Sequence, residues 1–402
     1  MHAADAADVY IVGAARTPIG KYGGAFRDLH PTELGAVAAR AAVERAGLQP
    51  ADIDEVLIGH GRQAGSGPNP GRQVGRRAGI PDASPAQTIN KACASGMQAI
   101  VSGAQSILLG ESAIVLAGGI ESMSRMPYLI DSIDARWGHR TGNFTLVDAM
   151  YRDGFQCPLS QMIMGETAEV LARDYAITRD MSDCFALESQ KKAKAAMDAG
   201  YFNREIAPVT IAVKGAQTTI TRDEHPRGET TIESLRKLPP VFGDGVITAG
   251  SSSGITDGGA ALVIASAAAV KARGLAPRAK ILGWASAGVD PRIMGIGPVP
   301  AVRTLEQRTG VRVEDFDLVE LNEAFAPQVL ACLKDLPISG DRLNVNGGAI
   351  ALGHPIGCTG ARMVVTLLHE LERRGVRRGL ATLCVSGGMG MALAIETCET
   401  SA

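Results

Sequence analysis

An internal repeat is the feature of this sequence that most restricts its fold. A helical pattern that begins at Pro31 leads through Gly47 into an Asp-apolar-Asp triplet and a strand-like run, and the same order recurs from Pro300 through Gly310. The two copies are offset by 263 residues, the distance from Gly47 to Gly310. Solenoid repeats have periods of about 20–50 residues, so a period this long indicates two copies of a whole folding unit.

The same register continues downstream, where a small-residue motif opens an apolar helix and a strand then ends at paired glycines. These segments are 93–96, 97–109, 113–117 and 118–119 in the first copy, and 357–360, 361–371, 380–385 and 387–388 in the second. Alternating strands and helices favour parallel sheets with right-handed crossovers and helices on both faces. We therefore expect an α/β protein made of two duplicated, stacked halves.

The sequence between the copies differs in character. From 123 to 249 it is richer in charge, contains a helical pattern at 186–199 and is interrupted by prolines. We interpret this stretch as an inserted loop domain, after which the strand-like run 260–265 returns to the first half. The predicted organisation is a first half of 1–122 plus 250–275, an insertion of 123–249, and a second half of 276–402.

Composition excludes several classes of protein. The 402 residues carry 40 Lys and Arg against 42 Asp and Glu, and aromatic residues make up only 4%. This balance argues against nucleic acid as the main partner. No run approaches the roughly 18 apolar residues of a membrane span. Seven scattered cysteines without a C-x-x-C pair predict neither a disulfide framework nor a zinc site, and with no signal-like N-terminus we expect a cytoplasmic protein.

Two residues at equivalent helix starts could carry chemistry. Cys93 follows a predicted buried strand at 88–91 and precedes a helix of about four turns, whose N-terminal N–H groups would favour the thiolate. His354 lies in a glycine-rich segment just before the second helix, where its ordinary pKa suits a base near neutral pH. Each residue alone has a plainer interpretation, as a core cysteine or a surface histidine. Their equivalent positions point to a site between the halves.

Two further candidates end strands of the second copy. Cys384 closes a strand beside a glycine-rich turn, and Asn322 follows the strand 318–321. Active sites of α/β proteins gather at the carboxyl ends of strands. The amide of Asn322 could orient a water or donate to an oxyanion, although asparagine also occurs commonly in turns.

The motifs around these residues together resemble the thiolase family. They are 90–97 (NKACASGM), 118–124 (GGIESMS), 294–298 (MGIGP), 322–326 (NEAFA), 347–360 and 384–390 (CVSGGMG). The resemblance extends from Val9 to Glu396 in one order. It implies two stacked five-layered α/β halves with a loop domain, and acyl transfer between a cysteine and coenzyme A with cleavage or formation of a carbon–carbon bond. It also implies a homodimer or homotetramer, and coenzyme A and acyl-CoA as substrates with no permanently bound cofactor.

By this resemblance, Cys93 is the acylated nucleophile and His354 the base that activates it. Cys384 is the second acid/base, acting at the α-carbon of acetyl-CoA. Asn322 holds a water that stabilises the enolate oxygen together with His354. The backbone N–H groups of Cys93 and Ser386 form a second oxyanion hole. Family members usually have glycine at the position of Ser386, which narrows the backbone geometry that this hole can adopt.

The resemblance also places coenzyme A and the acyl chain. Arg227 and Ser234 are expected near the nucleotide, Phe242 and Ser253 along the pantetheine, and Ala324 with Phe325 near the reactive end. Ile163, before Met164, stands where short-chain biosynthetic members usually have histidine. An apolar residue there favours a less polar acyl pocket and a degradative 3-ketoacyl-CoA thiolase of fatty acid β-oxidation, with a biosynthetic acetoacetyl-CoA thiolase as the alternative.

Two remote alternatives remain at this stage. The segment 250–254 (GSSSG) matches the G-x-S-x-G pattern of serine hydrolases, with Ser252 as the nucleophile. That motif requires a strand before it and a helix after it. A non-catalytic relative of the family would lack Cys93, His354 or Cys384, and all three are present.

Overall fold

The computed structural model describes residues 8–213 and 215–398, which form sixteen strands and eleven α-helices. The strands are β1 (Val9–Arg16), β2 (Gly20–Lys21), β3 (Glu55–His60), β4 (Ala86–Ile89), β5 (Ile114–Ser122), β6 (Tyr128–Leu129), β7 (Val147–Asp148), β8 (Gln156–Cys157), β9 (Met162–Ile163), β10 (Val209–Val213), β11 (Ala216–Ile220), β12 (Thr256–Ser266), β13 (Ala279–Gly288), β14 (Leu318–Leu321), β15 (Arg378–Val385) and β16 (Met389–Thr397). The helices are α1 (Pro31–Arg45), α2 (Pro70–Arg77), α3 (Ser95–Leu108), α4 (Met164–Asp174), α5 (Arg179–Asp198), α6 (Ile232–Arg236), α7 (Ala267–Arg273), α8 (Pro298–Thr309), α9 (Ala326–Asp335), α10 (Ala349–Leu352) and α11 (Ile356–Arg374).

Local sequence explains where the first long helix begins and ends. Pro31 occupies the first turn of α1, where its missing N–H costs no hydrogen bond. Glu33 accepts a hydrogen bond from the backbone N–H of His30 at 2.7 Å, which satisfies the group that precedes the helix. After α1 the chain turns at Gly47, whose φ of +69° is in the left-handed region. The helix predicted from Pro31 is confirmed.

One mixed sheet of ten strands organises the molecule. Its order is β14-β15-β16-β13-β1-β12-β5-β3-β4, and β2 pairs with β12. The pairs β3–β4, β3–β5 and β14–β15 are parallel. The other pairs are antiparallel. The prediction of parallel sheets is therefore wrong for the central strands. One reason is that residues 386–388 return β15 directly into β16, too few for the crossover that a parallel neighbour needs.

The sequence repeat is visible in the order of the strands. At the centre, β1 and β13 pair through Tyr10 with Lys280 and Ile11 with Ala279. Moving outward, the order is β1, β12, β5, β3 on one side and β13, β16, β15, β14 on the other. Helix α1 packs on β1 and β12, and α8 packs on β13 and β16. Corresponding parts of the two copies thus occupy corresponding places about the central pair.

Two further sequence predictions need correction. The glycines 118 and 119 do not end their strand, because β5 continues to Ser122 with every residue buried. The strand predicted as buried at 88–91 is β4 at Ala86–Ile89, and it is only partly covered because it is the last strand at one edge of the sheet. The residues 123–249 contain α4 to α6 and three two-stranded hairpins, β6–β7, β8–β9 and β10–β11.

Helices α3 and α11 pack against each other and against β5, and glycines bring their first turns into backbone contact. A Cβ on Gly119 of β5 would lie 2.2 Å from the carbonyl oxygen of Gly357. A Cβ on Gly96 would lie 2.9 Å from that oxygen. The start of α11 is therefore pressed between β5 and the start of α3.

Among the helices of the described residues, none combines the length and the apolar character that a membrane crossing requires.

We expect the substitution Gly119→Ala to lower the free energy of unfolding by about 2–3 kcal/mol, because the new methyl group would collide with backbone atoms that cannot turn away. Urea unfolding followed by circular dichroism measures this loss. The control is Gly340→Ala, since a Cβ at Gly340 meets no atom within 4 Å. Equal unfolding midpoints for the two variants would contradict the packing described here.

Candidate active site

Cys93 is held on a strained turn between β4 and α3. It lies in a 3-10 turn at Ala92–Ala94, and Ala92 has a φ of +46°, which is uncommon for a residue with a side chain. Asn90 accepts a hydrogen bond from the Ala92 N–H at 2.9 Å, and the Ser95 hydroxyl donates to the Ala92 carbonyl at 2.6 Å. These bonds fix the backbone immediately before the sulfur.

The surroundings of Cys93 favour the neutral thiol. The side chain is half-buried, and burial raises the pKa of the Cys93 thiol above its ordinary value. The charge of Arg62 and the backbone N–H groups of Ser386 and of Cys93 itself oppose this rise in pKa without cancelling it. The N–H groups lower the thiol pKa, as expected of a helix start, but the cost of desolvation exceeds their effect, so the net shift favours the thiol over the thiolate.

His354 is oriented by Thr359. The Thr359 hydroxyl donates to the Pro355 carbonyl at 3.0 Å, so its oxygen accepts the Nδ1–H of His354 at 2.6 Å. The Nε2 atom is then left with its lone pair and has no hydrogen-bond partner among the described residues. Burial, followed by the charges of Arg362 and Arg62, lowers the pKa of His354 to about 3. The imidazole is neutral and able to accept a proton.

Cys384 and Asn322 lie at the ends of β15 and β14. Both are buried. Burial raises the pKa of the Cys384 thiol well above its ordinary value, and a negative charge on Cys93 raises it further, which places the two sulfurs in one environment. The side-chain amide of Asn322 has no hydrogen-bond partner among the described residues at either its oxygen or its nitrogen. Its backbone N–H donates to the Thr382 carbonyl at 3.0 Å and so anchors it to β15.

The other predicted site residues divide between two places. Arg227 and Ser234 are exposed and line a cavity of about 410 Å³ that also contacts α5 and residues 249–250. Met164, Ala324 and Phe325 pack with Cys384 and Met294 in a small apolar cluster.

Phe242 and Ser253 lie between these places. A Cβ on Gly165 would lie 2.3 Å from the Phe242 ring, so the ring contacts the first turn of α4, beside Met164. The Ser253 N–H donates to the Ala324 carbonyl at 2.9 Å. Ile163 is half-buried and comes immediately before α4. Along the chain, residues 249–253 connect the 410 Å³ cavity with the apolar cluster that contains Cys384.

The backbone at Ser386, the residue expected to supply one N–H group of the oxyanion hole, accommodates a serine. Ser386 is not among the described residues with positive φ, whereas Gly387 and Gly388 are at +89° and +84°. A serine therefore fits at 386 without strain.

The segment 250–254 leads directly into β12 at Thr256 and no helix follows it, and the Ser252 hydroxyl donates to the Thr248 carbonyl at 2.8 Å. The nucleophile elbow of a serine hydrolase is absent at Ser252.

Sequence reasoning missed three residues of this region. Asn90 and Thr359 hold the Cys93 turn and the His354 ring, and the charge of Arg62 acts on both catalytic candidates. Thr359 could have been suspected, because it follows His354 by five residues at the start of a predicted helix. Nothing in the sequence distinguished Arg62 from the other arginines.

We expect alkylation of Cys93 by iodoacetamide to accelerate about tenfold per pH unit from pH 7 to 9 without a plateau. The raised thiol pKa keeps the thiolate a minor species over this range, and the lowered pKa of His354 prevents a resting thiolate–imidazolium pair. Peptide mass spectrometry of the Cys93 peptide measures the rate, and a Cys93→Ala variant gives the background from other cysteines. A pH-independent rate between pH 5 and 8 would show that the ion pair exists.

The chain is similar to known proteins over nearly its whole length. Residues 9–268 match the family model described as thiolase, N-terminal domain, and residues 275–397 match thiolase, C-terminal domain. The chain is 50% identical to the beta-ketoadipyl-CoA thiolase of Pseudomonas putida, over 97% of this chain and 99% of that protein. It is 48% identical to the acetyl-CoA acetyltransferase of Cupriavidus necator, with the same coverage. The crystal structure of human mitochondrial 3-ketoacyl-CoA thiolase in complex with CoA superposes with a TM-score of 0.93 at 45% identity, covering 97% of this chain and 98% of that one.

Proposed function

The chain belongs to the thiolase family and is an acyltransferase that uses coenzyme A thioesters, and on this premise we propose that it cleaves 3-ketoacyl-CoA by ping-pong transfer through an S-acyl Cys93. One observation carries the proposal. The backbone N–H groups of Cys93 and Ser386 lower the pKa of the Cys93 thiol, and the Nε2 atom of His354 has no hydrogen-bond partner among the described residues. Nucleophile, base and oxyanion donors are the groups that acyl transfer requires.

In the first half-reaction His354 Nε2 takes the thiol proton while the Cys93 sulfur bonds to the 3-keto carbon. The N–H groups of Cys93 and Ser386 stabilise the resulting oxyanion. Its collapse breaks the adjacent carbon–carbon bond, and the electron pair leaves as the enolate of acetyl-CoA. The neutral state of both Cys93 and His354 suits this step, because the proton moves only as the bond forms.

Cys384 completes the cleavage by giving its proton to the α-carbon of the enolate. The high pKa of Cys384 keeps it protonated until the enolate appears. Asn322, through a water, and His354 stabilise the enolate oxygen; the unpartnered amide of Asn322 supports this role. Coenzyme A then accepts the acyl group from Cys93. The proton on His354 first passes to Cys384, which restores its thiol. His354 then takes the thiol proton of coenzyme A as that sulfur attacks the acyl group, and gives it to the Cys93 sulfur as this sulfur leaves.

Residues 249–253, which connect the 410 Å³ cavity with the apolar cluster that contains Cys384, support one orientation of coenzyme A. Arg227 and Ser234 would contact the nucleotide, and Phe242 and Ser253 the pantetheine arm. Ala324 and Phe325 would contact the reactive thioester. The apolar Ile163 and Met164 favour the degradative direction, with acyl chains longer than acetyl. Relatives named beta-ketoadipyl-CoA thiolase and acetyl-CoA acetyltransferase are similar to this chain to nearly the same degree, so the acyl group must be argued from the pocket.

Cys93→Ala is expected to abolish covalent acylation, since it removes the only proposed nucleophile. Intact-protein mass spectrometry after incubation with acetyl-CoA measures this as loss of a single acetyl adduct. Cys184→Ala is the matched control, because Cys184 is an exposed cysteine away from the site. A Cys93→Ala protein that still gains one acetyl group would disprove the proposed function.

Cys384→Ala is expected to retain acylation of Cys93 and to lower the rate of thiolysis by about 10²- to 10⁴-fold, the usual contribution of a general acid. Mass spectrometry follows the first step, and absorbance of the 3-ketoacyl-CoA follows the second. Loss of both activities to the same extent would contradict the separate role of Cys384.

A further inference from the structure

Arg62, which follows β3, is a buried arginine without an acidic partner. It is 9% exposed, and no carboxylate of residues 8–213 and 215–398 lies within 4 Å of its guanidinium. A guanidinium has five N–H donors. Arg62 donates to the Gly154 carbonyl at 2.7 Å and to the Gly61 carbonyl at 3.4 Å, and its Nε has no partner.

The other deeply buried arginines of the described chain are paired. Arg16 bonds Glu205 at 2.5 Å and Asp223 at 2.7 Å, and Arg362 bonds Glu320 at 3.0 Å. A buried charge is costly unless an opposite charge and hydrogen bonds compensate it. The fold meets this requirement for Arg16 and Arg362 from its own side chains, but not for Arg62.

Arg62 lies at the wall of the Cys93 pocket. The preceding carbonyl, of Gly61, accepts a hydrogen bond from Asn90, and a Cβ on Gly61 would lie 2.9 Å from Ile356, 3.0 Å from a carboxylate oxygen of Glu121 and 3.4 Å from the Ala92 carbonyl oxygen. That Glu121 oxygen accepts the Gly357 N–H at 3.0 Å, and the other lies 3.0 Å from His60 Nε2. The segment that carries Arg62 therefore lies between the turns that hold Cys93 and His354. Its charge lowers the pKa of both residues, as a nearby cation does.

The side chains that pack directly with Cys93 are apolar, and the buried Glu121 carboxylate also acts on its thiol. Cys93 packs with Met123, Met150 and Ile356, and Phe155 covers the same cluster. Phe155 directly follows Gly154, whose carbonyl binds Arg62. An acyl chain on the Cys93 sulfur would thus lie along methionine and phenylalanine side chains with a single cation beside it.

We propose that Arg62 binds a carboxylate at the far end of the acyl chain, so that the preferred substrates are short 3-oxo-dicarboxylyl-CoA thioesters. The inference rests on the proposed function and deepens it. The phosphates of coenzyme A do not serve as the partner, because the 410 Å³ cavity assigned to the nucleotide does not include Arg62. An acyl carboxylate is an anion that the reaction itself carries to Cys93, and a planar guanidinium matches it with two parallel hydrogen bonds.

The test compares thiolysis of 3-oxoadipyl-CoA with that of 3-oxohexanoyl-CoA, which has the same chain length and a methyl group in place of the carboxylate. We expect the wild-type protein to prefer 3-oxoadipyl-CoA in kcat/KM by at least tenfold. In Arg62→Met, kcat/KM for 3-oxoadipyl-CoA should fall by about 10- to 100-fold, the usual worth of hydrogen bonds to a charged group. Loss of the charge that acts on Cys93 and His354 lowers kcat/KM for both substrates alike, so kcat/KM for 3-oxohexanoyl-CoA should fall by a smaller factor and the preference for 3-oxoadipyl-CoA should be lost.

Two controls sharpen the result. Arg62→Lys keeps the charge and should retain part of the preference. Arg152 lines a cavity of about 310 Å³ that also includes Met164 and Ser386, but its charge is paired with Asp153, so Arg152→Met should retain the preference. If Arg62→Met does not fold, as judged by thermal unfolding, Arg62→Gln and Arg62→Lys are measured in its place.

Three outcomes would overturn the inference: no wild-type preference for 3-oxoadipyl-CoA, loss of the preference in Arg152→Met alone, or an equal loss for both substrates in Arg62→Met. The last would mean that Arg62 acts on Cys93 rather than on the acyl chain. The proposed function fails differently, since the wild-type protein would then cleave neither thioester and Cys93 would take up no acyl group.

Discussion

The close contact between the first turns of α3 and α11 is the constraint on which the site depends. Gly119 and Gly96 have no side chain to keep the Gly357 carbonyl away, so the backbones of the two copies touch. Cys93 precedes one of these helices and His354 the other. Packing the helix starts against each other therefore brings a thiol and an imidazole from residues 261 positions apart in the chain to one place. The glycines at these helix starts serve helix packing as well as substrate access.

The buried arginines of the described residues differ in whether a carboxylate compensates their charge. Arg16 and Arg362 are paired with carboxylates, as buried charges usually are. The Asn322 amide, the Nε2 of His354 and the Nε of Arg62 have no hydrogen-bond partner among the described residues, and the Nε of Arg362 also has none, but Arg62 alone of these three arginines has no carboxylate within 4 Å in the described chain. Unsatisfied buried groups are costly and persist where a ligand or a reaction uses them. Around Cys93 this cost accompanies the strained backbone of Ala92.

Much of the fold could be predicted from local sequence. The strand Leu318–Leu321 and the helix beginning at Pro31 have the predicted bounds, because hydrophobic pattern, proline and glycine act within a few residues. The direction of the central strands was predicted wrongly, since it depends on how β12 and β16 return to the sheet rather than on their own residues. For Cys93 the sequence predicted the effect of the helix start, which lowers the thiol pKa, but not the net rise, because desolvation is a property of the folded pocket.

The sequence by itself determined the duplication, the order of the elements, the family and the residue types that can carry acyl transfer, because these follow from local patterns and from motifs in a fixed order. Only the tertiary structure decided which groups share an environment. In the folded chain the Ser386 N–H acts on the Cys93 thiol, and the Thr359 hydroxyl hydrogen-bonds His354. Arg62 has no carboxylate partner among the described residues. These contacts join distant segments, and their energies depend on burial and distance, which no local pattern contains.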